Sequence, residues 1–256
     1  MIDVVQTLRQ VGLRASEEAI HGLLKHAHKA KMSPEVLLEK LVDIEVRERD
    51  ARNLARRTRA ATLGNFKAMD EFDWAHPRKI DRALVERLLA LDFVTASPPQ
   101  NVLLRGPAGV GKTTLAQNLG LAALQAGHTV RFSTLPTALA DLLRQESIPA
   151  TERRMKRYTS PDLLILDELG YVPCDSRAAD LFFNIISRRH GLRSVVITTN
   201  LPFKTWGEVF PDAACLGALI DRFAEHCNVV DIEADSYRQR NAKAARRKKT
   251  PSAKRR

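Results

Sequence analysis

The sequence predicts an α/β fold: a five-stranded, parallel, doubly wound sheet flanked by helices, with a small all-helical segment before it and a disordered basic tail after it. Three observations carry this expectation. Short apolar runs alternate with amphipathic helical stretches, the pattern that builds parallel sheets. One run, Asn101-Val102-Leu103-Leu104, leads through Arg105 into Gly106-Pro107-Ala108-Gly109-Val110-Gly111-Lys112-Thr113, a Gly-x-x-x-x-Gly-Lys-Thr turn followed by apolar residues at helical spacing. Another, Leu163-Leu164-Ile165-Leu166, ends in the two acids Asp167-Glu168, and open parallel sheets hold their ligands at such carboxyl ends.

Taken in order, residues 1–65 read as a helical domain without strand-like alternation. Ser16-Glu17-Glu18 supplies an N-cap with acids in the first turn, and Ile20, Leu23, Leu24 and Ala27 follow at helical spacing. Ser33-Pro34-Glu35 opens the next helix, whose expected apolar face is Leu37, Leu38, Leu41, Val42 and Ile44. From Arg47 onward this helix turns basic. Pairs such as Glu48 with Arg52 read as a solvated, ion-paired face, but the acids run out before Arg56, Arg57 and Arg59, which suit a phosphate- or partner-facing surface as well as a solvated one.

The second domain is expected over residues 66–240. Its first segment clusters Phe72 and Trp74 in a break ending at His76-Pro77, where the rings either pin a linker to the core or meet a nucleotide base. Ile80 to Phe93 reads as one amphipathic helix with Leu84, Val85, Leu88, Leu89 and Phe93 inward. After the glycine turn, Thr129–Ser133, Leu163–Leu166, Ser194–Asn200 and Val229–Ile232 supply the remaining strands, with helices over Leu135–Arg144 and Ala178–His190. Between them, Arg153, Arg154, Lys156 and Arg157 crowd basic charge beside Tyr158, which reads either as an exposed helix face or as a nucleic-acid contact.

The chemistry follows from residue types. Glycines let successive backbone N–H groups converge on phosphate oxygens at the positive end of the next helix. Lys112 suits the β- and γ-phosphates, while Thr113 and Asp167 suit Mg²⁺. Glu168 is placed to polarise an attacking water. A glycine-rich turn with a solvated lysine is the bland alternative, and two acids at the end of a buried strand 55 residues past that lysine argue against it. The two motifs together make a phosphate-loop hydrolase of nucleoside triphosphates. Asn200, ending a buried strand, either holds water or γ-phosphate or caps a turn.

Composition limits the partners. The formal charge is +11, and the last sixteen residues, 241–256, hold eight basic side chains and no acid, leaving +3 for the rest. A polyanion is the expected partner, nucleic acid before a membrane surface. Aromatic content of 5% disfavours a surface built on base stacking. Cys174, Cys215 and Cys227 lack the spacing of a disulfide framework or zinc site. No early apolar core marks a signal peptide, and the uncharged run Thr113–Val130 contains Gln117, Asn118, Gln125 and His128, as a buried helix does. A reduced, cytoplasmic protein is expected.

With both motifs in place, residues 66–240 resemble the IstB family of insertion-sequence transposition ATPases, AAA+ proteins similar to the DnaC helicase loader. The resemblance rests on Asn101 to Thr113, Asp162 to Tyr171, Thr198-Thr199-Asn200-Leu201-Pro202-Phe203, Trp206-Gly207-Glu208-Val209-Phe210, Ile220-Asp221-Arg222-Phe223 and Asp235-Ser236-Tyr237-Arg238. It implies ATP with Mg²⁺, an AAA+ sheet, and a nucleotide loop running from Gly106 to Thr114. It departs at Thr114, where family members often carry histidine. It further implies that Asn200 is a sensor residue, that Arg222 acts on ATP in a neighbouring subunit, and that Arg238 contacts nucleotide. The implied partners are double-stranded DNA, a cognate transposase and further copies of the chain, with no membrane. A single-strand-binding helicase loader is the alternative within this resemblance, and a module binding nucleic acid through its tail is the alternative outside it.

Overall fold

The structure is a computed structural model, and it describes residues 4–171, 174–211, 213–237 and 240. The chain divides into two compact units, Met1–Arg59 and Ala60–Arg256. The expected tail, residues 241–256, and Arg238 lie outside the described residues.

In the first unit, helices α1 (Val4–Gln10), α2 (Glu17–Ala30) and the unit's part of α3 (Pro34–Ala61) follow one another. Ser16 caps α2 by accepting the Ala19 N–H. A small core of Val5, Ala15 and Ile20 packs with Leu8, Leu41 and Ile44. Leu38 and Val42, expected on the inward face, are instead 60% and 56% exposed. At 3.6 residues per turn Leu37, Leu41 and Ile44 already fill the inward stripe, and Leu38 and Val42 stand about 100° round the helix from it. The Glu48–Arg52 pair forms at 3.3 Å. Its neighbour Glu45 is buried, and its carboxylate accepts the Arg14 N–H at 2.7 Å and the Arg49 Nε–H at 3.1 Å. Burial works to raise the Glu45 carboxyl, but these donors outweigh it and hold it below the ordinary range.

In the second unit the end of α3 and a 3₁₀ turn at Met69–Glu71 precede α4 (Arg82–Leu89) and α5 (Asp92–Thr95). One helix was expected here; Leu91, at φ +69°, breaks it in two while Val85, Leu88 and Phe93 stay buried. Then come β1 (Asn101–Arg105), α6 (Lys112–Gln125), β2 (Val130–Thr134), α7 (Leu135–Leu143) and α8 (Ile148–Thr159). They are followed by β3 (Leu163–Leu169), α9 (Ser176–Arg189), β4 (Ser194–Thr199), α10 (Trp206–Val209), α11 (Leu216–Ala224) and β5 (Cys227–Asp231). The five strands form one sheet in the order β2-β3-β4-β1-β5, every pairing parallel. The expected five-stranded parallel sheet flanked by helices is therefore the fold. Leu103, Leu164, Ile165, Val196 and Ile197 are fully buried, each contributing about 1.5–3 kcal/mol through burial.

One buried cation joins the layers. Arg189, at the end of α9, has no exposed surface. It donates to five main-chain carbonyls: Tyr158, Thr159 and Pro161 from one nitrogen, Asp162 and Ser194 from the other. Burial pulls its pKa down, and the carbonyls at the end of α8 compensate as cations at helix C-termini do. It rivets α8, α9, the entry to β3 and the start of β4 together.

Candidate functional site

β1 and β3 deliver their loops to the same edge of the sheet, with β4 between them. Gly106 leaves β1 with its N–H on the Thr199 carbonyl of β4 at 3.1 Å. A Cβ here would collide with the Ile232 carbonyl oxygen, so only glycine lets the loop pass this close to the end of β5. Gly109, at φ +81°, lies against Ser236, and its carbonyl accepts the Tyr237 N–H at 3.0 Å. The loop then enters α6, whose first-turn N–H groups point out of the helix end.

Lys112 is 6% exposed, and its Nζ donates to the Gly106 and Pro107 carbonyls at 2.7 Å each. The Thr113 hydroxyl lies 3.0 and 3.2 Å from the two carboxylate oxygens of Asp167. Asp167 is itself buried, at 3% exposure. Across the sheet Leu166 pairs with Ile197 and Leu169 with Thr199, so Asp167 and Glu168 together face Thr198. This is a β-bulge. Glu168 takes φ +65°, which turns its side chain out into solvent while Asp167 points in. Thr198 serves both acids, since its hydroxyl donates to Asp167 and its oxygen accepts the Glu168 N–H at 3.0 Å.

A cavity of about 360 Å³ opens over this edge. Among the expected residues, Ala108, Gly109, Val110, Gly111, Lys112, Thr113, Thr114, Asp167 and Glu168 line it. Phe72, Asp73, His76 and Tyr237 form a further part of the wall. Phe72 lies 3.1 Å from where a Cβ on Gly111 would stand, and Trp74 packs edge-on to Phe72 without lining the cavity. Tyr237 meets His76 ring to ring at 5.0 Å, and Arg240 holds Asp73 at 2.5 Å, keeping that carboxyl below its ordinary range.

Other expected residues lie elsewhere. Asn200 follows β4 with its side chain exposed and is absent from the cavity lining; its Oδ1 comes 3.4 Å from the place a Cβ on Gly170 would take. Arg222, on α11, donates to the Ser187 hydroxyl at 3.0 Å and stacks on Phe183 of α9, also outside the lining. The basic run falls on α8 and splits. Arg154 and Arg157 pair with Asp141 of α7 at 3.4 and 3.7 Å, while Arg153 and Lys156 are exposed. On α3, Arg56 and Arg59 are exposed and Arg57 is half-buried.

No pattern in the sequence marks Thr198 or Tyr237, both of which line the cavity. Thr198 is a strand residue whose importance depends on a bulge in the neighbouring strand. Tyr237 fastens Gly109 through its backbone N–H, which no side-chain pattern reveals, and its ring reaches the site by packing on His76.

A family model described as IstB-like ATP binding protein matches residues 6–245. The chain belongs to this family. The IstB-like chain is 35% identical over 226 residues to the ATP-binding protein of insertion sequence IS21 from Pseudomonas aeruginosa, covering 88% of this chain and 84% of that one. It is 36% identical over 201 residues to the ATP-binding protein of insertion sequence IS232 from Bacillus thuringiensis subsp. berliner, at 78% and 80% coverage. Among solved structures, AMPPCP-bound DnaA from Aquifex aeolicus matches with a TM-score of 0.56 and 20% identity over 73% of this chain and 56% of that one. The DnaC helicase loader matches at 0.52 and 19%, over 65% of this chain and 96% of that one. At these identities the likeness is one of fold. The IstB-like protein is thus an ATP-binding P-loop ATPase of the insertion-sequence, transposition-associated type. Among its described residues no helix is long and apolar enough to cross a membrane.

Proposed function

We propose that this protein is an ATP-dependent transposition helper that assembles on duplex target DNA, with ATP between subunits, and hands that DNA to a transposase in the cytoplasm. The observation that carries the reading is the pairing of phosphate-loop residues 108–114 with the bulged acids Asp167 and Glu168 around one cavity. ATP is the substrate, cradled by the backbone of residues 106–114. Lys112 supplies positive charge to its phosphates, and the exposed Glu168 carboxylate orients and polarises the attacking water. The donor set of Thr113 hydroxyl and Asp167 carboxylate, 3.0 Å apart, fits Mg²⁺, which supplies neutralisation of phosphate charge when bound.

In the shared-site part of the reading Arg222, which lies on α11 outside its own chain's cavity and is held by Ser187 and Phe183, exchanges these contacts for ATP of a neighbouring copy. Asn200 in this reading reports the γ-phosphate from the edge of the sheet, and Arg238 meets the nucleotide. The basic side chains Arg153, Lys156, Arg56, Arg57 and Arg59, with the eight of residues 241–256, supply charge for DNA.

Glu168→Gln protein, which should bind ATP without turning it over, tests the reading. Mixed with duplex or single-stranded DNA of equal length and sized with ATP or ADP, it should form large complexes on duplex with ATP. A preference for single strands would instead favour a DnaC-like loader, a reading the fold equally accommodates.

A further inference from the structure

A second cavity of about 380 Å³ lies on the outer side of β2, between α7 and α8. Three arginines from three elements meet there: Arg131 of β2, Arg144 following α7, and Arg157 of α8. Asp141 is the one acid in its lining, and it is already shared. Its carboxylate pairs with Arg154 and Arg157 and accepts the Tyr158 hydroxyl at 2.7 Å. One carboxylate does not neutralise this group. Arg131 is half-buried: its Nη1 donates to the Ala60 carbonyl at 3.3 Å, its Nε is buried without an acceptor, and burial first, then the Arg157 charge, lower its pKa.

We propose that this cleft binds a backbone phosphate of nucleic acid through Arg131, Arg144 and Arg157. The proposal rests on the DNA-binding reading above and names the surface that engages the duplex. Guanidinium groups present paired donors that match the two free oxygens of a phosphodiester. An anion here relieves the Arg131–Arg157 repulsion that Asp141 alone leaves standing. A polymer fits better than an isolated phosphate, because exposed Arg153 and Lys156 continue the positive charge along α8 beyond the cleft.

The test compares the full chain with the Arg144→Gln/Arg157→Gln variant in fluorescence-anisotropy titrations of duplex DNA between about 50 and 200 mM salt. The double variant should bind roughly tenfold or more weakly, with the slope of log affinity against log salt reduced by about 0.9 for the one lost phosphate contact. Arg144→Gln alone, at an exposed side chain, should weaken binding and lower the slope by less than the double variant does, and guards against misfolding of the pair. Arg9→Gln, which removes an exposed charge elsewhere, should leave the slope unchanged. If wild type binds duplex and both cleft variants bind it with the same affinity and slope, the cleft assignment is overturned while the function stands. If wild type binds no DNA, the proposed function fails and the cleft assignment falls with it. A parallel thermal-shift titration with inorganic phosphate separates the two phosphate sources. A melting-temperature rise in wild type that the variants lose, with DNA binding unaltered, would assign the cleft to free phosphate and overturn the nucleic-acid reading.

Discussion

The Thr198 hydroxyl on β4 donates to the Asp167 carboxylate on β3, while the same oxygen accepts the neighbouring Glu168 N–H. One buried side chain thereby sets the inward direction of one acid and the outward direction of the next. The energetic interest lies in Glu168, which holds a left-handed conformation that a non-glycine residue adopts at a cost of about 1 kcal/mol. Thr198 and the bulge register keep it there.

Replacing Thr198 with valine keeps the shape and removes both hydrogen bonds. Residues that orient a metal- or water-directing carboxylate are commonly worth about 10–100-fold in activity. Thr198→Val should lower the single-turnover rate of ATP hydrolysis by that factor while ATP affinity, read by nucleotide titration, changes little. Thr198→Ser should recover most of the rate. An unchanged rate in the valine variant would remove the orienting role.

Arg189 offers a test of stability away from the nucleotide. Arg189→Met fills similar space but leaves five carbonyls without their shared donor. With an unpaired buried acceptor costing ~1–3 kcal/mol, a loss of about 3 kcal/mol or more is expected. Urea unfolding monitored by circular dichroism measures it, and a loss below about 1 kcal/mol would mean water replaces the guanidinium.

Asp162 makes stability depend on pH in a definite direction. Burial acts to raise its carboxyl, but the Thr129 N–H and hydroxyl, each at 2.8 Å, outweigh burial with help from His128 and Arg193. Its folded pKa therefore lies below the unfolded value of about 3.9. Such a group stabilises the fold above the unfolded value and loses that contribution as pH falls through the folded one. The melting-temperature deficit of Asp162→Asn should be full near neutral pH, shrink from about pH 4 downward and close in stronger acid. A deficit that grows on acidification would contradict the sign.

Much of the fold was legible because its signals are local. Asn101 to Thr113 writes a strand, a turn and a helix start within one short stretch, and Leu163 to Glu168 writes a buried strand with acids at its end. The expected helix over Ile80–Phe93 was readable in its burial but not in its break, since Leu91 carries no residue-type mark of a left-handed backbone. The inward face of α3 was overdrawn at Leu38 and Val42 because contiguous apolar residues blur the helical period. Arg189 was invisible for another reason. A basic residue ending a helix reads as solvated, and only the joint arrival of α8, β3 and β4 supplies the carbonyls that bury it. The same holds for Arg131, which alternation places on a strand but which only α7 and α8 turn into part of a cleft.

The pairing of β5 with β1, Asn101 with Cys227 through Arg105 with Asp231, also has a consequence for the order of events during synthesis. The phosphate loop leaves the ribosome early, yet the Ile232 carbonyl that Gly106 lies against and the Tyr237 N–H that fastens Gly109 are made more than a hundred residues later. A nascent chain therefore carries the loop without these two contacts until residues 232 and 237 have been added. The loop reaches its fastened form only once the residues through Tyr237 are available to it.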